Sequence, residues 1–336
     1  MRRTFALLAT ICLALAAQSP AAEKKDKQAE GLALIERARE LSDIRAPGSP
    51  PFRLKARFQF LGLNGGPREG TYTLVWASPT KWRESISFPG FSELRVGGEG
   101  QYWQQRNVDY IPLRVSQLRQ TLSSINAPHS QTGLKVKKIR NRNEDGISLR
   151  CIEVEEHQWS RRTLCYDTAS GVLIRDESSG LAIFAPLQEY SGYAPLGRKL
   201  FPKSVRRFER GKPIIELTIE ELVLEPSPDA SLFEPLAGLD VKVFCDGGEP
   251  SKLLNHPVFE IPSHLRQPRT SLFFAAYGVV GTDGTLSNVT LLTSSGSDEL
   301  DAVALKAFRQ LRYKPRVCNG APVEEETVEH ITVDIG

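Results

Sequence analysis

The most constraining feature of this sequence is a two-residue alternation of apolar and polar side chains, which recurs between Pro51 and Leu224. In its first run, Phe52–Phe60, every second residue is apolar and each residue between is Arg, Lys or Gln. This period places all the apolar side chains on one face of a β-strand. About ten such runs follow one another, separated by turn signals such as Asn64-Gly65-Gly66 and Glu144-Asp145-Gly146. The pattern predicts an antiparallel barrel or a strongly curved sheet.

Helical spacing replaces this alternation in two places. Ahead of the first strand, apolar residues recur every three or four positions: Leu32, Ile35, Ala38 and Leu41. The same spacing appears inside the strand-rich region, over Leu113–Ile125. We therefore expect one amphipathic helix before the sheet and a second helix that covers an open end or face of it.

A Pro/Gly-rich connection follows the last alternating run and marks a domain boundary. Its breakers are Pro226, Pro228, Pro235, Gly238, Gly247 and Gly248. We place a leader at 1–22, a β-rich domain at 23–240 and a smaller domain at 241–336. A chain of 336 residues is long enough to bury two such cores.

The first 22 residues have the layout of a secretory signal. Met1-Arg2-Arg3 precedes an apolar run from Phe5 to Ala17, and small residues allow cleavage after Ala16 or Ala22. The mature chain is therefore expected outside the cytoplasm. An uncleaved leader would instead attach the chain to the inner membrane, because the apolar run is short for a membrane span but not impossibly so.

The C-terminal region has a different pattern from the rest of the chain. Leu272–Val280 and Leu286–Thr293 predict a hairpin around Thr282-Asp283-Gly284. A helix follows, with Ser297 or Asp298 as its N-cap, and a final strand ends the chain. These signals predict a small α+β module, so the whole chain is of the α+β class.

Several linked motifs of this module resemble the TonB C-terminal domain family. In order, they are Thr282-Asp283-Gly284, Ser294-Ser295-Gly296, Leu300-Asp301, Ala304-Leu305, Arg312-Tyr313-Lys314-Pro315 and Asn319-Gly320-Ala321-Pro322-Val323. The resemblance implies a two-helix, three-strand fold in the periplasm. It also implies a partner, an outer-membrane transporter or another envelope protein, whose short peptide is added to the sheet as an extra strand.

The same resemblance assigns the docking edge to the final strand. The partner-binding residues would be Glu325, Glu326, Thr327, Val328, Glu329, His330, Ile331, Thr332, Val333, Asp334 and Ile335. The side chains of Ile331, Val333 and Ile335 are expected to serve core packing, so only their backbone is assigned to the docking edge. The sequence departs from the family at Ile261-Pro262, where Tyr-Pro is usual, and it shows no long Pro-rich spacer.

The β-rich domain resembles the LolA/LolB-type lipoprotein carriers. The leader, the amphipathic helix, the strand runs and the ending Asp229-Ala230-Ser231-Leu232-Phe233 carry this resemblance. It implies an antiparallel half-barrel with covering helices, whose hollow holds lipid or acyl-chain cargo. The candidate lining residues are Phe58, Phe60, Trp76, Trp82, Phe88 and Trp103. Alternatively, most of these aromatic side chains simply fill the core of the sheet.

Four cysteines follow the leader, an even number that suggests two disulfides in an oxidising compartment. Three pairings are possible. We favour Cys151 with Cys165 and Cys245 with Cys318, because each pair then lies within one expected domain. A metal site is not supported, since the chain has no Cys-x-x-Cys spacing.

Catalysis, cofactors and nucleic acid find no support in the sequence. The five histidines lie outside any catalytic motif: His129, His157, His256, His264 and His330. No nucleophile elbow or phosphate-binding loop is present. The formal net charge of +3 gives no concentrated basic field for nucleic acid. We therefore expect a periplasmic adaptor that supports envelope transport without catalysis, or alternatively a carrier of lipid or lipoprotein.

Overall fold

The computed structural model describes residues 20–62, 66–125, 133–157, 160–179, 186–243, 249–255, 257–266 and 270–334. Its α-helices within these ranges are α1 (Pro20–Ser42), α2 (Leu113–Ser124) and α3 (Asp298–Arg309). The strands up to residue 243 are β1 (Phe52–Phe60), β2 (Arg68–Ser78), β3 (Lys81–Phe88), β4 (Phe91–Gly97), β5 (Gln101–Arg106), β6 (Lys135–Glu144), β7 (Ile147–His157), β8 (Ser160–Asp167), β9 (Leu173–Ser179), β10 (Leu187–Ser191), β11 (Ala194–Leu196), β12 (Lys199–Phe201), β13 (Ser204–Glu209), β14 (Lys212–Leu224) and β15 (Asp240–Val243). The later strands are β16 (Lys252–Leu253), β17 (Ser271–Val280), β18 (Leu286–Leu291), β19 (Tyr313–Lys314), β20 (Arg316–Cys318), β21 (Ala321–Val323) and β22 (Glu325–Asp334).

Thirteen of these strands form one antiparallel sheet, in the order β15-β5-β4-β3-β2-β1-β14-β13-β10-β9-β8-β7-β6. The two end strands, β15 and β6, do not pair with each other, so the part of the sheet that the structure describes is open rather than a closed barrel. Most neighbours in the sheet are also neighbours in the chain, as expected for successive hairpins. The expected antiparallel half-barrel agrees with this sheet in being antiparallel and open.

The alternation in β1 produces one buried face, which we call the inner face. Phe52, Leu54, Ala56, Phe58 and Phe60 are each at most 2% exposed, while the residues between them are exposed or half-buried. Both predicted helices are present as α1 and α2, and their apolar residues join the same core as the inner face. The helices therefore take the place of solvent over this face, which is how an open sheet buries its apolar side.

The C-terminal module is built on a three-stranded antiparallel sheet in the order β18-β17-β22. Its hairpin turns where the sequence predicts. Gly284 in this turn has a positive φ of 78°, a conformation that would strain a residue with a side chain. Helix α3 begins after Ser297, whose hydroxyl accepts a hydrogen bond from the Leu300 amide. The three expected strands are thus observed.

The second helix expected for this module is not an α-helix in the described residues. Among the described residues from 249 to β17, the helical structure is a single 3-10 turn, Ser263–Leu265. Pro257 and Pro262 explain the difference, because each lacks a backbone N–H and Pro262 forces the residue before it out of helical geometry.

The structure does not test two boundaries that the sequence analysis predicts, the end of the leader and the domain boundary. Residues 1–19 of the leader lie outside the described residues, so its cleavage stays a prediction; none of the described helices is long and apolar enough to cross a membrane. The domain boundary at 240/241 also stays a prediction, although β15 runs across it and continues the large sheet to Val243.

Candidate functional site

Strand β22, the predicted docking strand, lies at the edge of the C-terminal sheet. It pairs with β17 in unbroken antiparallel register, from Glu325 opposite Val280 to Asp334 opposite Ser271. No other described strand pairs with it, so its second edge is unoccupied in this part of the chain. Ten of the eleven predicted partner-binding residues lie in this strand. The last one, Ile335, lies outside the described residues.

One face of β22 packs against helix α3. Ile331 and Val333 join the core formed by Phe274, Ala304 and Phe308. These two side chains are therefore occupied in core packing, as the sequence analysis expects. Any partner that adds a strand here would meet the backbone of β22 rather than these apolar side chains.

The other face of the β17–β22 sheet packs against the N-terminal domain. Tyr277, which is 2% exposed, belongs to the core of the large sheet. Val279, Leu292 and Val328 are half-buried against the same core. Strand β17 is thus covered on both faces, and the two parts of the chain share one apolar interior.

A chain of hydrogen-bonded, buried charged side chains, with a tyrosine hydroxyl at each end, crosses this shared interior, and we call it the ionic chain. Its members, from the C-terminal module into the large sheet, are Tyr277, Glu326, Arg106, Glu93, Arg119, Glu84 and Tyr72. The sequence analysis assigned Glu326 only to the docking strand and missed the other six.

At the domain boundary, the Glu326 carboxylate accepts hydrogen bonds from residues of both domains. The Tyr277 hydroxyl donates to Glu326 Oε1 over 2.6 Å. Arg106 Nη2 donates to both carboxylate oxygens of Glu326, over 3.0 and 3.1 Å. The side chains of Arg106 and Glu326 are only 4% and 10% exposed. Burial alone would raise the pKa of Glu326, but the hydrogen bond from Tyr277 and the charge of Arg106 outweigh it and lower the pKa.

Further inside, two more carboxylates continue the ionic chain. Arg106 Nε donates to Glu93 over 2.9 Å, and Arg119 bridges Glu93 and Glu84, with 2.8 Å from Nη2 to Glu84. The Tyr72 hydroxyl donates to Glu84 over 3.0 Å. Burial acts to raise the pKa of Glu84, but the positive charge of Arg119 overcomes it and the pKa is lowered. Glu84 is therefore held as a buried anion.

A sequence signal for the ionic chain exists in the alternation itself. Glu84 stands between Trp82 and Ile86, at a position that the period assigns to the inner face. Glu93 follows Phe91 on the same face of β4. A carboxylate at a core position needs a partner when it is buried. The pattern identifies these acids, but not the arginines that meet them.

The predicted hollow is partly filled and partly open. The rings of Phe58 and Phe60 pack against each other within the core at a tilt of 32°, with centroids 4.5 Å apart. A cavity of about 420 Å³ lies between α2 and strands β2 to β4, and Trp76 and Trp82 line it. A second cavity, of about 490 Å³, lies between the two domains and is lined by Phe60 and Phe88.

Trp103 does not belong with the other five candidate lining residues. Residues directly opposite in neighbouring strands share a face, and Tyr102 lies opposite Gly97, which lies opposite Trp82. Trp103, one position further along β5, therefore lies on the outer face, opposite Val96 and Val241. Its place in the predicted lining is wrong because the period-two rule assigns Tyr102, not Trp103, to the inner face.

The disulfide prediction is confirmed for one pair. Cys151 and Cys165 lie directly opposite each other in β7 and β8 and are bonded. Cys318 is also disulfide-bonded. Cys245 lies outside the described residues, so its pairing with Cys318 stays a prediction. In the described part of the chain, no group of His, Cys, Asp and Glu side chains has the arrangement of a metal site.

Comparisons with known proteins bear on both parts of the chain. A LolA superfamily protein from Nitrosomonas europaea is 12% identical, and the match covers 61% of this chain and 97% of that one at a TM-score of 0.39. A DUF1329 family protein from Desulfovibrio piger is also 12% identical, covering 63% and 97% at a TM-score of 0.40. No curated protein matches the chain significantly.

The C-terminal match is to a sequence family. Residues 277–332 match the model of the Gram-negative bacterial TonB protein C-terminal family, which associates this chain with the Gram-negative cell envelope. The matched segment begins at Tyr277 and includes Glu326, so it contains both residues through which the module joins the ionic chain. Residues 277–332 thus match the TonB C-terminal family, and this match confirms the resemblance drawn from the hairpin, helix and final-strand motifs.

Proposed function

We propose that this protein is a periplasmic adaptor of the TonB type, which captures an outer-membrane or other envelope protein by strand addition along β22. The observation that carries the proposal is the unoccupied edge of β22 within the segment that matches the TonB C-terminal family. Such an edge offers free backbone donors and acceptors to an extended peptide. The function requires recognition and no catalytic group.

The two halves of β22 differ in accessibility, and this difference supports a contact with the partner at one of them. The half from Glu325 to Glu329 is half-buried, and Glu326 is fixed to Arg106. His330 and Thr332 are exposed. We therefore assign first contact with the partner strand to the half from His330 to Asp334.

Photo-crosslinking in intact cells tests this assignment. Replacing His330 or Thr332 with p-benzoylphenylalanine should give a discrete crosslinked band whose second component is an envelope protein. Lys306, on the exposed side of α3, is the matched control, since its side chain is 64% exposed but lies away from the strand edge. Equal crosslinking from position 306, or no band from either β22 position, would refute strand addition at this edge.

A second candidate function, carriage of lipid or lipoprotein, is favoured by the cavity of about 420 Å³ beside Trp76 and Trp82. Its walls combine apolar side chains, among them Leu74, Trp76 and Trp82, with the charged side chains of Arg45 and Arg95. A space of this size and mixed lining suits part of an acyl chain next to a polar head group. Native mass spectrometry of protein purified gently from its own envelope should then show a lipid mass. That mass should be lost in Trp82→Ser and kept in Trp103→Ser, which changes a tryptophan on the outer face. If the wild-type protein carries no lipid mass, the carrier function is refuted and the adaptor function is the one that remains.

A further inference from the structure

Strand β15 leaves one edge of the large sheet unpaired. It bonds to β5 on one side, and no described strand bonds to it on the other. Val241 and Val243 on its outer face are 58% and 52% exposed. An exposed edge with apolar side chains is a template for pairing with another strand, unless something covers it. Val241 and Val243 are therefore candidates for burial in an interface.

The sequence at this edge is complementary to itself. Residues 239–243 read Leu239, Asp240, Val241, Lys242 and Val243. When the strand pairs antiparallel with a copy of itself about Val241, each residue i meets residue 482 − i of the copy. Asp240 then lies opposite the copy's Lys242, Val241 opposite the copy's Val241, and Leu239 opposite the copy's Val243.

Every cross-strand pair in this register is favourable. The Asp–Lys pair occurs twice by symmetry, on the inner-face side, and the apolar pairs lie together on the outer face. Moving the two-fold axis to Lys242 would place two lysines opposite each other, which is unfavourable. Placing the two-fold axis between two residues would set an inner-face residue of one copy opposite an outer-face residue of the other. The charge pattern thus selects a single register.

We propose that β15 is a self-association edge, through which two copies of this chain pair antiparallel about a two-fold axis at Val241. The contact joins two large sheets into one continuous sheet across the dimer and buries Val241 and Val243. It is isologous, because each copy supplies the same surface. Its small area predicts a weak, concentration-dependent dimer rather than a permanent one.

Charge exchange tests the register in the full-length mature protein. Sedimentation velocity over roughly 5 to 500 µM should show wild-type protein moving from monomer to dimer. Asp240→Lys alone, or Lys242→Asp alone, places like charges opposite each other at two positions and should weaken self-association about tenfold. The double variant Asp240→Lys/Lys242→Asp restores opposite charges and should recover wild-type association. An equimolar mixture of the two single variants should also recover it, as a heterodimer.

Two variants, each with one added cysteine, locate the two-fold axis. Val241→Cys places a thiol opposite its own copy and should give a disulfide-linked dimer under oxidised glutathione. Val243→Cys is the matched control, since its copy lies four residues away along the strand, about 13 Å, and should not link. Wild-type protein treated in the same way reports any dimer formed by the native cysteines. A monomer at all concentrations, or single charge variants that associate like wild type, would overturn the proposal.

Discussion

Glu326 joins two roles that the sequence does not connect, a place in the docking strand and a place in the ionic chain. Its carboxylate is bonded to Tyr277 from its own module and to Arg106 from the large sheet. Because these bonds are buried, their loss should affect folding more than a surface contact would. Substituting Glu326 therefore tests how much the contacts between the two domains contribute to stability.

Replacing Glu326 with Ala should destabilise the protein by about 3 kcal/mol, because Arg106 loses one of two anionic partners and Tyr277 loses its acceptor. Urea unfolding followed by circular dichroism measures the loss. Glu324→Ala is the control, since Glu324 is exposed and its removal should change stability by less than about 0.5 kcal/mol. Equal midpoints for the two variants would contradict a stabilising ionic chain.

Acidification should weaken the same contacts. The pKa values of Glu84 and Glu326 are lowered in the folded protein from the ordinary value of 4.5. A lowered pKa means that the folded state favours the anion, so this stabilisation is complete above pH 4.5 and is lost as the pH falls below it. Thermal unfolding between pH 7 and pH 3 should show the melting temperature falling most steeply below pH 4.5. Glu326→Gln should show a shallower fall, and an unchanged slope would argue against the assignment.

At the scale of elements, local periodicity was enough to predict strands such as β1 and the helix α2. The alternation of β1 and the helical spacing of Leu113–Ile125 each depend on side chains within one element. The second helix that the family resemblance implies for the module is not observed in the described residues, because Pro257 and Pro262 disfavour a helix there. The burial of both faces of β17 was missed, although a continuous apolar run such as Leu272–Val280 is typical of a strand covered on both sides.

The cross-strand disulfide between β7 and β8 yields a prediction confined to one end of the sheet. Replacing Cys151 and Cys165 together with Ser removes a link between residues 14 positions apart and should cost about 3 kcal/mol. The melting temperature of the oxidised protein should fall accordingly. Crosslinking from His330 should be unchanged, because β7 and β8 lie far from β5 in the strand order. Loss of crosslinking would show that this end of the sheet supports the docking strand.

At the scale of the whole molecule, the shared core predicts that the C-terminal module depends on the large sheet. A fragment of residues 241–336 would expose Tyr277, Val279 and Val328, which face the N-terminal domain in the full chain. We expect this fragment to bind a hydrophobic dye and to self-associate, as measured by fluorescence and gel filtration. The same fragment with Tyr277→Ser, Val279→Ser and Val328→Thr should be more monomeric. A wild-type fragment that is monomeric and dye-free would contradict a shared core.

The site was less predictable from sequence than the elements, for a physical reason. The edge position of β22 follows from motifs that lie close together in the chain. The pairing of Arg106 with Glu326 joins residues from two domains, and no local period reports such a contact. Sequence therefore identified the strand proposed to dock, but not the charges that hold it against the other domain.

The pairing of β1 with β14 has a consequence for how the chain folds. Nine of the twelve neighbour pairs in the large sheet join strands that are consecutive in the chain, whereas Phe60 must find Ile215 across most of the N-terminal domain. Hairpins form within microseconds, but closing so long a loop is slow. Along the chain β1 comes first, and β14 comes only after twelve other strands. During that interval the apolar face of β1 is open to wrong partners, so the β1–β14 closure is a step at which a chaperone would help.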